Sequence, residues 1–500
     1  MNNVLEVKNL SISVKDTNLV RGVSFGVRAG KVLAIVGESG SGKSLIAKSI
    51  LRINNEKRFS YPKGEVIYKD KNILSLPESS LGFRGKNMGL IMQDPFVSLN
   101  PVHHIKKQVS EVLIKHKLAH KSKISGLVDE VLNDVGIKLK NDKVYPHQLS
   151  GGQKQRVMIA MSLVAKPDIL IADEPTTSLD PDTQQEIIDL LLELKEKYKI
   201  SLIFISHDLG LVKKIADDVL VLSQGEVCEY GPAQEIFNTP KKGYTKKLVN
   251  ASKFDFVKNN ILPNIPPLLE ITDLSISYNL GVFLQRRKLN VIEKSSFNIF
   301  PGETVGLVGK SGSGKSSLAR SVLKLQDGVK GKILFNGVDL SCLDSEKLRR
   351  IRRDMQIIFQ DPFATLNPKM TVYQIIEEGL RAHNIENRDN IIRRVIDEVG
   401  LDEEHLLRFP SQFSGGQRQR IAMARALSLS PKFIILDEPT ASLDVTAQKE
   451  VLNLLVKLQN DYNLSYLFIS HDHNIINEIS HRVMVIKESC LVNSDMVSFS

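Results

Sequence analysis

Two short segments of the sequence combine closely spaced glycines with a lysine and a serine. Both fit the pattern Gly-x-x-x-x-Gly-Lys-Ser, in which glycines allow successive backbone N–H groups to turn toward a phosphate. The lysine places a positive charge at β- and γ-phosphates, and the serine hydroxyl can bind Mg²⁺. The first segment is Gly37, Glu38, Ser39, Gly40, Ser41, Gly42, Lys43 and Ser44, and the second is Gly309, Lys310, Ser311, Gly312, Ser313, Gly314, Lys315 and Ser316. The sequence therefore predicts two bound nucleoside triphosphates.

The residues around each phosphate loop predict a strand before the glycines and a helix after them. Apolar runs at 32–36 and 304–308 are typical of buried strands, and amphipathic stretches follow at 45–51 and 317–323. The positive end of each helix dipole would then face the phosphates. An ordinary glycine-rich turn is the alternative for a single segment, but two copies in matching contexts argue against it.

Two pairs of acidic residues each follow four apolar residues. The pairs are Asp173-Glu174 and Asp437-Glu438. An acid at the end of a hydrophobic strand beside a phosphate loop is placed to hold Mg²⁺, directly or through water. The next acid can polarise a water molecule that attacks the γ-phosphate. The alternative is a strand that simply emerges into solvent, which is a minor possibility downstream of two phosphate loops.

The chain contains an internal duplication. Segments Ser-Gly-Gly-Gln, Asp-Glu-Pro-Thr and Ile-Ser-His-Asp begin at 150, 173 and 205 and recur at 414, 437 and 469, an offset of 264 residues in each case. The phosphate loops are offset by 272 residues, and the Gln-Asp-Pro-Phe segments, at 93 and 360, by 267. Insertions and deletions therefore lie outside the stretch that carries the acids, as expected for a rigid catalytic core.

The order of the elements predicts an α/β fold in each half. Short β-rich runs alternate with helices, which favours a mainly parallel sheet. Helical patterns at 105–136 and 372–400 lie between Gln-Asp-Pro-Phe and Ser-Gly-Gly-Gln. A proline-bearing polar segment separates the halves, so we expect domains at 1–250 and 268–500 joined by a linker at 251–267.

The composition is that of a globular protein, since 42% of the 500 residues are apolar and 25% are charged. No apolar run approaches the roughly 18–20 residues that span a bilayer, and the first residues lack the pattern of a signal peptide. Cys228, Cys342 and Cys490 have neither the spacing of a disulfide framework nor that of a metal site. We therefore expect a soluble protein in a reducing, intracellular compartment.

The net charge of +10 is compatible with nucleic acid, an anionic membrane face or nucleotides as partners. The densest basic cluster, residues 347–353, lies beside Asp344 and Glu346. A solvated helix face is the more common structure for such a run, and a dedicated site for a polyanion is the alternative.

The ordered set of motifs resembles the ATP-binding cassette (ABC) ATPases. The set is the phosphate loop, Gln-Asp-Pro-Phe, (Leu/Phe)-Ser-Gly-Gly-Gln-(Lys/Arg)-Gln-Arg, Asp-Glu-Pro-Thr, Ser-Leu-Asp and Ile-Ser-His-Asp, and it covers nearly the whole chain twice. Residues 149–156 and 413–420 match that family's signature segment. The resemblance implies two P-loop NTPase domains, each with a RecA-like, mainly parallel sheet, an antiparallel β part and a helical subdomain. It also implies that the nucleotide is ATP.

The resemblance assigns roles to individual residues. It implies that the glutamates are general bases, that the glutamines sense Mg²⁺ and the attacking water, and that the histidines contact the γ-phosphate. The implied catalytic residues are Glu174, Glu438, His207, His471, Gln93 and Gln360. The implied Mg²⁺ ligands are Ser44, Gln93, Asp173, Ser316, Gln360 and Asp437.

The signature segments complete the predicted sites. A serine followed by two glycines at the start of a helix forms a further phosphate-binding N-terminus. The resemblance implies that each such segment binds the ATP held by the opposite half, which gives two composite sites that both hydrolyse ATP. The residues concerned are Ser150, Gly151, Gly152, Ser414, Gly415 and Gly416. Asp180 and Asp444 match the family's loop between subunits.

The sequence departs from the family pattern at two places. Tyr278 lies where the family usually places an aromatic ring against adenine, but the equivalent residue in the first half is Val14, which offers apolar contact without a ring. In the second half Ser489 replaces the turn glycine Gly225, and residues 231–245 have no counterpart. We therefore expect a C-terminally shortened second domain with a poorly formed terminal hairpin.

Residues 93–101 and 360–368 resemble the oligopeptide/dipeptide/nickel importer group, as does the tail at 231–245. The two ATPases look fused, as in some peptide, microcin C-type and glutathione importers. The resemblance implies an ATPase that powers bacterial import through two transmembrane permease subunits and an extracytoplasmic solute-binding protein. The chain would be peripheral, at the cytoplasmic face of the inner membrane. No separate ATPase subunit and no nucleic acid are expected.

A soluble tandem ABC protein acting on the ribosome is the alternative from another class. A basic chain would suit RNA. Such proteins usually carry a long, charged, helical linker, whereas the segment between these halves is short and contains prolines, which favours transport. A nucleotide-binding regulator without hydrolysis is disfavoured by Glu174 and Glu438. The transported solute stays open.

Overall fold

The chain folds into two compact units, Met1–Lys253 and Phe254–Ser500, in a computed structural model. The structure describes residues 3–493 apart from 16, 56, 140, 177, 178, 180, 252–255, 257–264, 281–286, 311 and 442. Most of the predicted linker therefore lies outside the described residues, and its boundaries stay a prediction.

The first unit contains a six-stranded and a four-stranded sheet. Its strands are β1 (Asn3–Val14), β2 (Thr17–Arg28), β3 (Val32–Val36), β4 (Phe59–Tyr68), β5 (Lys71–Asn72), β6 (Met88–Ile91), β7 (Ile169–Asp173), β8 (Ser201–Ile205), β9 (Asp218–Ser223) and β10 (Glu226–Pro232). The larger sheet has the order β10-β9-β3-β8-β7-β6 and is parallel except for the β9–β10 pair. The smaller sheet, β2-β1-β4-β5, is antiparallel.

The helices of the first unit lie between and after the strands of the six-stranded sheet. They are α1 (Lys43–Ile50), α2 (Pro95–Ser98), α3 (Ile105–Lys115), α4 (Lys121–Asp134), α5 (Gly151–Leu163), α6 (Pro181–Tyr198), α7 (Leu209–Ile215), α8 (Ala233–Asn238) and α9 (Gly243–Ala251). Short 3₁₀ turns span Ile73–Ser75, Glu78–Ser80 and Pro146–Gln148. The predicted helical stretch at 105–136 is thus two helices, α3 and α4.

The second unit repeats this architecture. Its strands are β11 (Leu269–Leu280), β12 (Arg287–Ile299), β13 (Thr304–Gly309), β14 (Val329–Phe335), β15 (Val338–Asp339), β16 (Met355–Ile358), β17 (Phe433–Asp437), β18 (Ser465–Ile469), β19 (Arg482–Lys487) and β20 (Cys490–Asn493). The six-stranded sheet has the order β16-β17-β18-β13-β19-β20, with β20 antiparallel, and the antiparallel sheet is β12-β11-β14-β15.

The helices of the second unit mostly occupy positions that correspond to those of the first. They are α10 (Lys315–Val322), α11 (Ser345–Arg352), α12 (Pro362–Thr365), α13 (Val372–Ala382), α14 (Arg388–Glu398), α15 (Gly415–Leu427), α16 (Val445–Tyr462) and α17 (His473–Ile479). Short 3₁₀ turns span Leu340–Cys342, Glu403–Leu407 and Pro410–Gln412. The predicted α/β fold, with parallel strands, an antiparallel part and helices in each half, is confirmed.

Each six-stranded sheet is buried on both faces, which explains its continuous apolar strands. In β3, Ala34 packs into the core shared with the helices, and the neighbouring Leu33 and Ile35 pack into the core shared with the antiparallel sheet. Successive side chains of a strand point to opposite faces, so one apolar run supplies two cores. In β13, Val308 and Leu307 divide in the same way.

The terminal hairpin of the second unit is formed, so the expectation that it is poorly formed was wrong. Strands β19 and β20 pair antiparallel from Met484 opposite Asn493 to Lys487 opposite Cys490. The two residues between them, Glu488 and Ser489, have φ of 50° and 64°. Positive φ at both central residues is what a tight hairpin turn requires, and here non-glycine residues adopt it.

The basic cluster at 347–353 is largely paired. In α11 and just before it, Lys347 lies 3.3 Å from Asp344 and Arg350 lies 2.6 Å from Glu346, both as exposed ion pairs. The guanidinium of Arg352 donates to backbone carbonyls of the turn that ends α10. These contacts fit a solvated helix face, which was the more common of the two interpretations.

Among the described residues, no helix is both long enough and apolar enough to cross a membrane. The three cysteines are free thiols, with Cys228 half-buried and the other two exposed.

Candidate functional site

The predicted site residues of the first unit gather at one edge of the six-stranded sheet. The phosphate loop follows β3, Gln93 follows β6, Asp173 ends β7 and His207 follows β8. The carboxyl ends of parallel strands share one edge, which is where α/β sheets bind ligands. In the second unit the corresponding residues follow β13, β16, β17 and β18. The structure therefore brings each predicted set together within its own unit.

The lysine of each phosphate loop lies over the backbone of that loop. Lys43 Nζ donates to the carbonyls of Gly37 and Glu38, both at 2.8 Å. Lys315 Nζ donates to the carbonyls of Gly309, at 2.7 Å, and Lys310, at 3.1 Å. Both lysines are buried. The positive charges of both lysines are thus held at the loops that would receive phosphate oxygens. Ser311, in the second loop, lies outside the described residues.

Glycine is required at particular positions of both loops. Gly37 has φ of 150°, and a Cβ there would lie 2.2 Å from the carbonyl oxygen of Leu222. Gly314 has φ of 105°, and a Cβ there would lie 2.3 Å from Cγ1 of Val291. Neither site has room for a side chain, so the glycines of the motif allow the close backbone packing that shapes the loop.

The loop serines supply polar atoms suited to a phosphate. Ser41 Oγ and Ser313 Oγ are buried, and neither has a hydrogen-bond partner among the residues that the structure describes. Buried hydroxyls normally have partners, so two equivalent exceptions in two phosphate loops indicate a ligand. Phosphate oxygens would accept hydrogen bonds from both.

The residues predicted to hold Mg²⁺ are in contact. Ser44 Oγ donates to Asp173 Oδ1 at 2.9 Å, and the Ser316 side chain bonds Asp437 in the same way. Burial raises the pKa of Asp173 and of Asp437, and the hydrogen bond from serine offsets this only in part. A nearby cation would favour the ionised carboxylates, and hydroxyl and carboxylate oxygens are ligands that Mg²⁺ prefers. The residues present therefore fit this ion.

A metal site can also be built from histidine, cysteine and acidic side chains alone. Within the described part of the chain, no group of three or more such side chains is placed to hold a metal ion. A Mg²⁺ ion here would be held by the aspartate together with serine hydroxyl and glutamine oxygens and the phosphates themselves.

In the first unit, the predicted general base is held by two neighbours. Gln93 Nε2 donates to Glu174 Oε2 at 2.9 Å, and His207 Nδ1 lies 3.5 Å from the same oxygen. The hydrogen bond to Glu174 raises the pKa of His207, against the opposing effect of burial. Gln93, Glu174 and His207, which the family resemblance implied to be catalytic, thus lie together.

The second unit shows the same arrangement. Gln360 Nε2 donates to Glu438 Oε2 at 2.7 Å, and His471 Nδ1 lies 3.4 Å from that oxygen. The bond to Glu438 raises the pKa of His471. Burial favours a higher pKa for Glu438, but the hydrogen bond from His471 and nearby positive charge outweigh it, so that this pKa lies below its ordinary value. A carboxylate kept ionised can accept a proton from water.

Both glutamates have a backbone conformation that the sequence did not reveal. Glu174 has φ of 48° and Glu438 has φ of 49°. Each backbone N–H donates to the last residue of the adjacent strand, Ile205 at 3.0 Å and Ile469 at 2.9 Å. Left-handed backbone is uncommon for glutamate and tends to occur at functional sites, where the surroundings hold it. The bends place both carboxylates beside their glutamine and histidine.

The signature segments begin helices α5 and α15. Ser150 Oγ accepts the N–H of Gln153 at 3.3 Å, and Gln153 Oε1 accepts the N–H of Ser150 at 3.0 Å. Ser414 and Gln417 repeat this capping box. The glycines Gly151, Gly152, Gly415 and Gly416 form the first helical turns. Helix N-termini suited to an anion are thus present, and their role toward the ATP of the opposite half stays a prediction.

The predicted intersubunit aspartates differ in what is described. Asp444 caps α16 by accepting the N–H of Ala447 at 2.9 Å. Asp180 lies outside the described residues.

The residues at the predicted adenine position differ between the units. The hydroxyl of Tyr278 donates to Gln326 Oε1 at 2.7 Å and lies 3.0 Å from Ser317 Oγ, which fixes the ring beside α10. Val14 instead lies directly opposite Phe59 on β4. Directly opposed residues of an antiparallel pair share a face, so an aromatic ring stands beside Val14.

A second aromatic residue of β4, Tyr61, has hydrogen bonds that resemble those of Tyr278. The hydroxyl of Tyr61 accepts from Asn54 Nδ2 at 3.4 Å, and Asn54 bonds Ser49 of α1 as Gln326 bonds Ser321 of α10. Sequence reasoning missed these aromatic residues. The available signal was the change in offset from 272 to 267, which marks five extra residues before β4 in the first half.

The comparisons with known proteins agree with this geometry. The ABC transporter family matches the chain at residues 20–177 and again at 292–441. The chain belongs to the ABC transporter family. ATP-binding proteins of this family hydrolyse ATP to power transport, so the predicted ATPase is confirmed.

Relatives match the chain over nearly its whole length. The ABC transporter ATP-binding protein YejF of Escherichia coli (strain K12) is 42% identical over 98% of this chain and 95% of its own. The peptidoglycan transport ATP-binding protein YejF of Agrobacterium fabrum is 39% identical over 98% of this chain and 92% of its own. The glutathione import ATP-binding protein GsiA of Shigella dysenteriae is 39% identical over 97% and 84%. These names favour transport over the ribosomal alternative.

Proposed function

We propose that this chain is the ATP-binding and hydrolysing subunit of a bacterial importer for peptides or related small solutes. The observation that carries the proposal is the presence of two complete Gln–Glu–His arrangements, each beside its own phosphate loop. Neither has lost a residue that hydrolysis requires. Two of the three relatives named above are a peptidoglycan transport and a glutathione import protein, which supports a peptide-like cargo.

The geometry supports a division of labour within each unit. Lys43 is placed to neutralise β- and γ-phosphate oxygens, and Ser44 with Asp173 would hold Mg²⁺. That ion, when bound, supplies positive charge that offsets charge developing on the phosphates. Glu174 would accept a proton from the attacking water, while Gln93 orients the carboxylate.

The histidine has a distinct part in this scheme. His207 is close enough to Glu174 to hold its carboxylate in place, and as the imidazolium it would also stabilise charge on the γ-phosphate. Lys315, Ser316, Asp437, Glu438, Gln360 and His471 would perform the same tasks in the second unit.

The wider assembly is also part of the proposal. Each signature serine and its two glycines would complete the site of the opposite half, and closure on ATP would drive the permeases. Two transmembrane permease subunits and an extracytoplasmic solute-binding protein would be the partners. The chain would then lie peripherally at the cytoplasmic face of the inner membrane, with no further ATPase subunit.

Co-expression with two permeases encoded by neighbouring genes tests this function. We expect the chain to purify from membranes with both permeases, and a solute-binding protein loaded with cargo to stimulate ATP hydrolysis. A Lys43→Ala/Lys315→Ala double variant, which lacks both loop lysines, should assemble equally well but hydrolyse little ATP. A panel of peptides, glutathione and Ni²⁺ would identify the cargo class.

Association with ribosomes in place of permeases is the outcome that would contradict the proposal. Recovery of the chain with ribosomes, released by raised salt and without either permease, would contradict the proposal and support the alternative.

A further inference from the structure

The last helical segment of the first unit returns to the phosphate loop. Tyr244, at the start of α9, accepts a hydrogen bond through its hydroxyl from the backbone N–H of Glu38 at 3.3 Å. Glu38 is the second residue of the loop. The carbonyl of the same peptide group, that of Gly37, accepts from Lys43 Nζ at 2.8 Å. One peptide unit of the loop is thus held on one side by the loop lysine and on the other by a tyrosine from the tail.

The tyrosine is itself held in place. Its ring packs against the core that the helices of this unit share with the six-stranded sheet. The next residue, Thr245, is fully buried, and its hydroxyl lies 4.0 Å from Cys228 Sγ on β10. The carboxylate of Glu229, also on β10, accepts the backbone N–H groups of Lys241 and Lys242 at 3.0 and 3.2 Å. These contacts with β10 therefore fix the position of Tyr244 relative to the phosphate loop.

We propose that Tyr244 is a positioning residue for the first nucleotide site. It holds the Gly37–Glu38 peptide in the orientation that the loop needs to receive phosphate, so that the tail formed by α8 and α9 sets the ATP affinity of this unit. The inference rests on the proposed function, since it concerns the same site. A preorganised loop loses less conformational freedom when the ligand binds, and therefore binds more tightly.

The size of the effect follows from the contact. One neutral hydrogen bond to a partly buried backbone N–H changes an equilibrium by roughly three- to tenfold. We expect removal of the hydroxyl to weaken ATP binding in the first unit by about this factor. Turnover at saturating ATP should change little, because the bond from the loop to Tyr244 lies on the phosphate-binding backbone, whereas Glu174 is bonded by Gln93.

A hydrogen-exchange experiment tests the contact without nucleotide. Tyr244→Phe keeps the ring and removes only the hydroxyl, so the full-length protein should stay folded. We expect faster amide exchange in the peptide that contains residues 37–44, and unchanged exchange in the peptide of the second loop. Tyr230→Phe is the matched control, because that hydroxyl also bonds backbone of this unit, to the carbonyl of Gly26 at 3.0 Å. Unchanged exchange at 37–44 in Tyr244→Phe would overturn the inference.

Photolabelling with 8-azido-ATP, followed by peptide mapping, then measures affinity in each unit separately. The expected result is a three- to tenfold weaker half-saturation in the first unit, no change in the second, and a raised KM with kcat nearly constant. Equal affinity in both proteins, or equal losses in both units, would contradict the role of Tyr244. Failure of the unmutated chain to label at all would instead contradict the proposed function, and the exchange experiment would still decide the contact.

Discussion

The hydrolytic residues of the two units match contact by contact. The glutamine–glutamate distances are 2.9 and 2.7 Å, and the histidine–glutamate distances are 3.5 and 3.4 Å. Both glutamates have φ just below 50°. These side chains follow the buried strands β6 to β8 and β16 to β18, whose positions the cores fix on both faces. The shared sheet edge thus preserves one geometry through considerable change in sequence.

The surroundings of the two phosphate loops differ more. The first unit presents Val14 with Phe59 and Tyr61, and the second presents Tyr278. The phosphate loop of the first unit is bonded by Tyr244. The β9–β10 hairpin of that unit turns at Gly225, whereas the β19–β20 hairpin of the second unit turns at Ser489. We infer from this comparison that the proposed hydrolysis depends on the sheet edge, which is the same in both units, and that nucleotide affinity depends on the strands and turns around it, which differ.

The largest effect should come from the general bases. Glu174→Gln removes the proton acceptor while keeping the shape of the side chain and its contact with Gln93. We expect hydrolysis at that site to fall by about 10²–10⁴, and Glu438→Gln to do the same at the other site. Steady-state ATPase assays on both single variants and the double variant measure this.

The single variants also decide whether the sites are equivalent and coupled. If the units are equivalent and independent, each single variant keeps about half of the activity, and if they are coupled, each keeps far less. Full activity in either variant would show that the unit concerned does not contribute, despite its matching geometry.

The adenine side of the two sites should give the next largest effect. Phe59→Ala, made with Lys315→Ala so that the first site is loaded preferentially, should weaken ATP binding by about 5- to 150-fold, since stacking of a base on an aromatic ring contributes about 1–3 kcal/mol. Tyr278→Ala with Lys43→Ala is the matching pair for the second site. Equilibrium titration with a fluorescent ATP analogue measures both.

Inorganic tripolyphosphate provides the control for this comparison. It has no base, so its affinity should be the same with and without Phe59. Unchanged ATP affinity in the Phe59→Ala protein would show that β4 does not replace the aromatic residue of β11.

Much of each site could be predicted from the sequence because its parts are local. Glycine spacing predicts the phosphate loop with Lys43, and an acid at the end of an apolar run predicts Asp173 beside it; in the structure Ser44 bonds Asp173, while the role of this pair toward Mg²⁺ stays a prediction. The strand and helix on either side of the loop follow from periodicity.

The remaining features depend on contacts between distant segments. The pairing of Val14 with Phe59 depends on the length of β4, which has 10 residues where β14 has 7, and on a register shift between Ser11 and Ser13. The bond from Glu38 to Tyr244 joins residues 206 positions apart. The left-handed backbone of Glu174 has no marker in composition, since glycine or asparagine usually occupies such conformations. The hairpin prediction was wrong because it overestimated the cost of losing the turn glycine. The pairing of β19 with β20 holds Glu488 and Ser489 at positive φ.

The turns of the terminal hairpins should show a smaller difference, in stability. Ser489→Gly relieves a left-handed serine and should stabilise the second unit by about 0.5–1 kcal/mol. Gly225→Ser should destabilise the first unit by more than about 1 kcal/mol, because a Cβ there would lie 2.2 Å from the carbonyl oxygen of Leu19. Calorimetric unfolding of both variants measures these changes. A neutral Gly225→Ser would show that the backbone can move away from Leu19.

The smallest effect should be the pH dependence of the histidine–glutamate pairs, measured without nucleotide or Mg²⁺. Hydrogen bonds to Glu174 and Glu438 raise the pKa of His207 and His471 in the folded protein. The stability that each protonated pair contributes is therefore fully present below the unfolded histidine pKa, about 6.5, and is lost as pH rises through the higher folded value.

The melting temperature of the unmutated chain, minus that of His207→Gln or His471→Gln, should accordingly be larger at pH 6 than at pH 9. Each histidine side chain stays 34% exposed, so solvent screening keeps the difference small. Equal behaviour of both variants would extend the match between the units from geometry to electrostatics. A difference that grows with pH would mean that the neutral imidazole is the form that the folded site prefers.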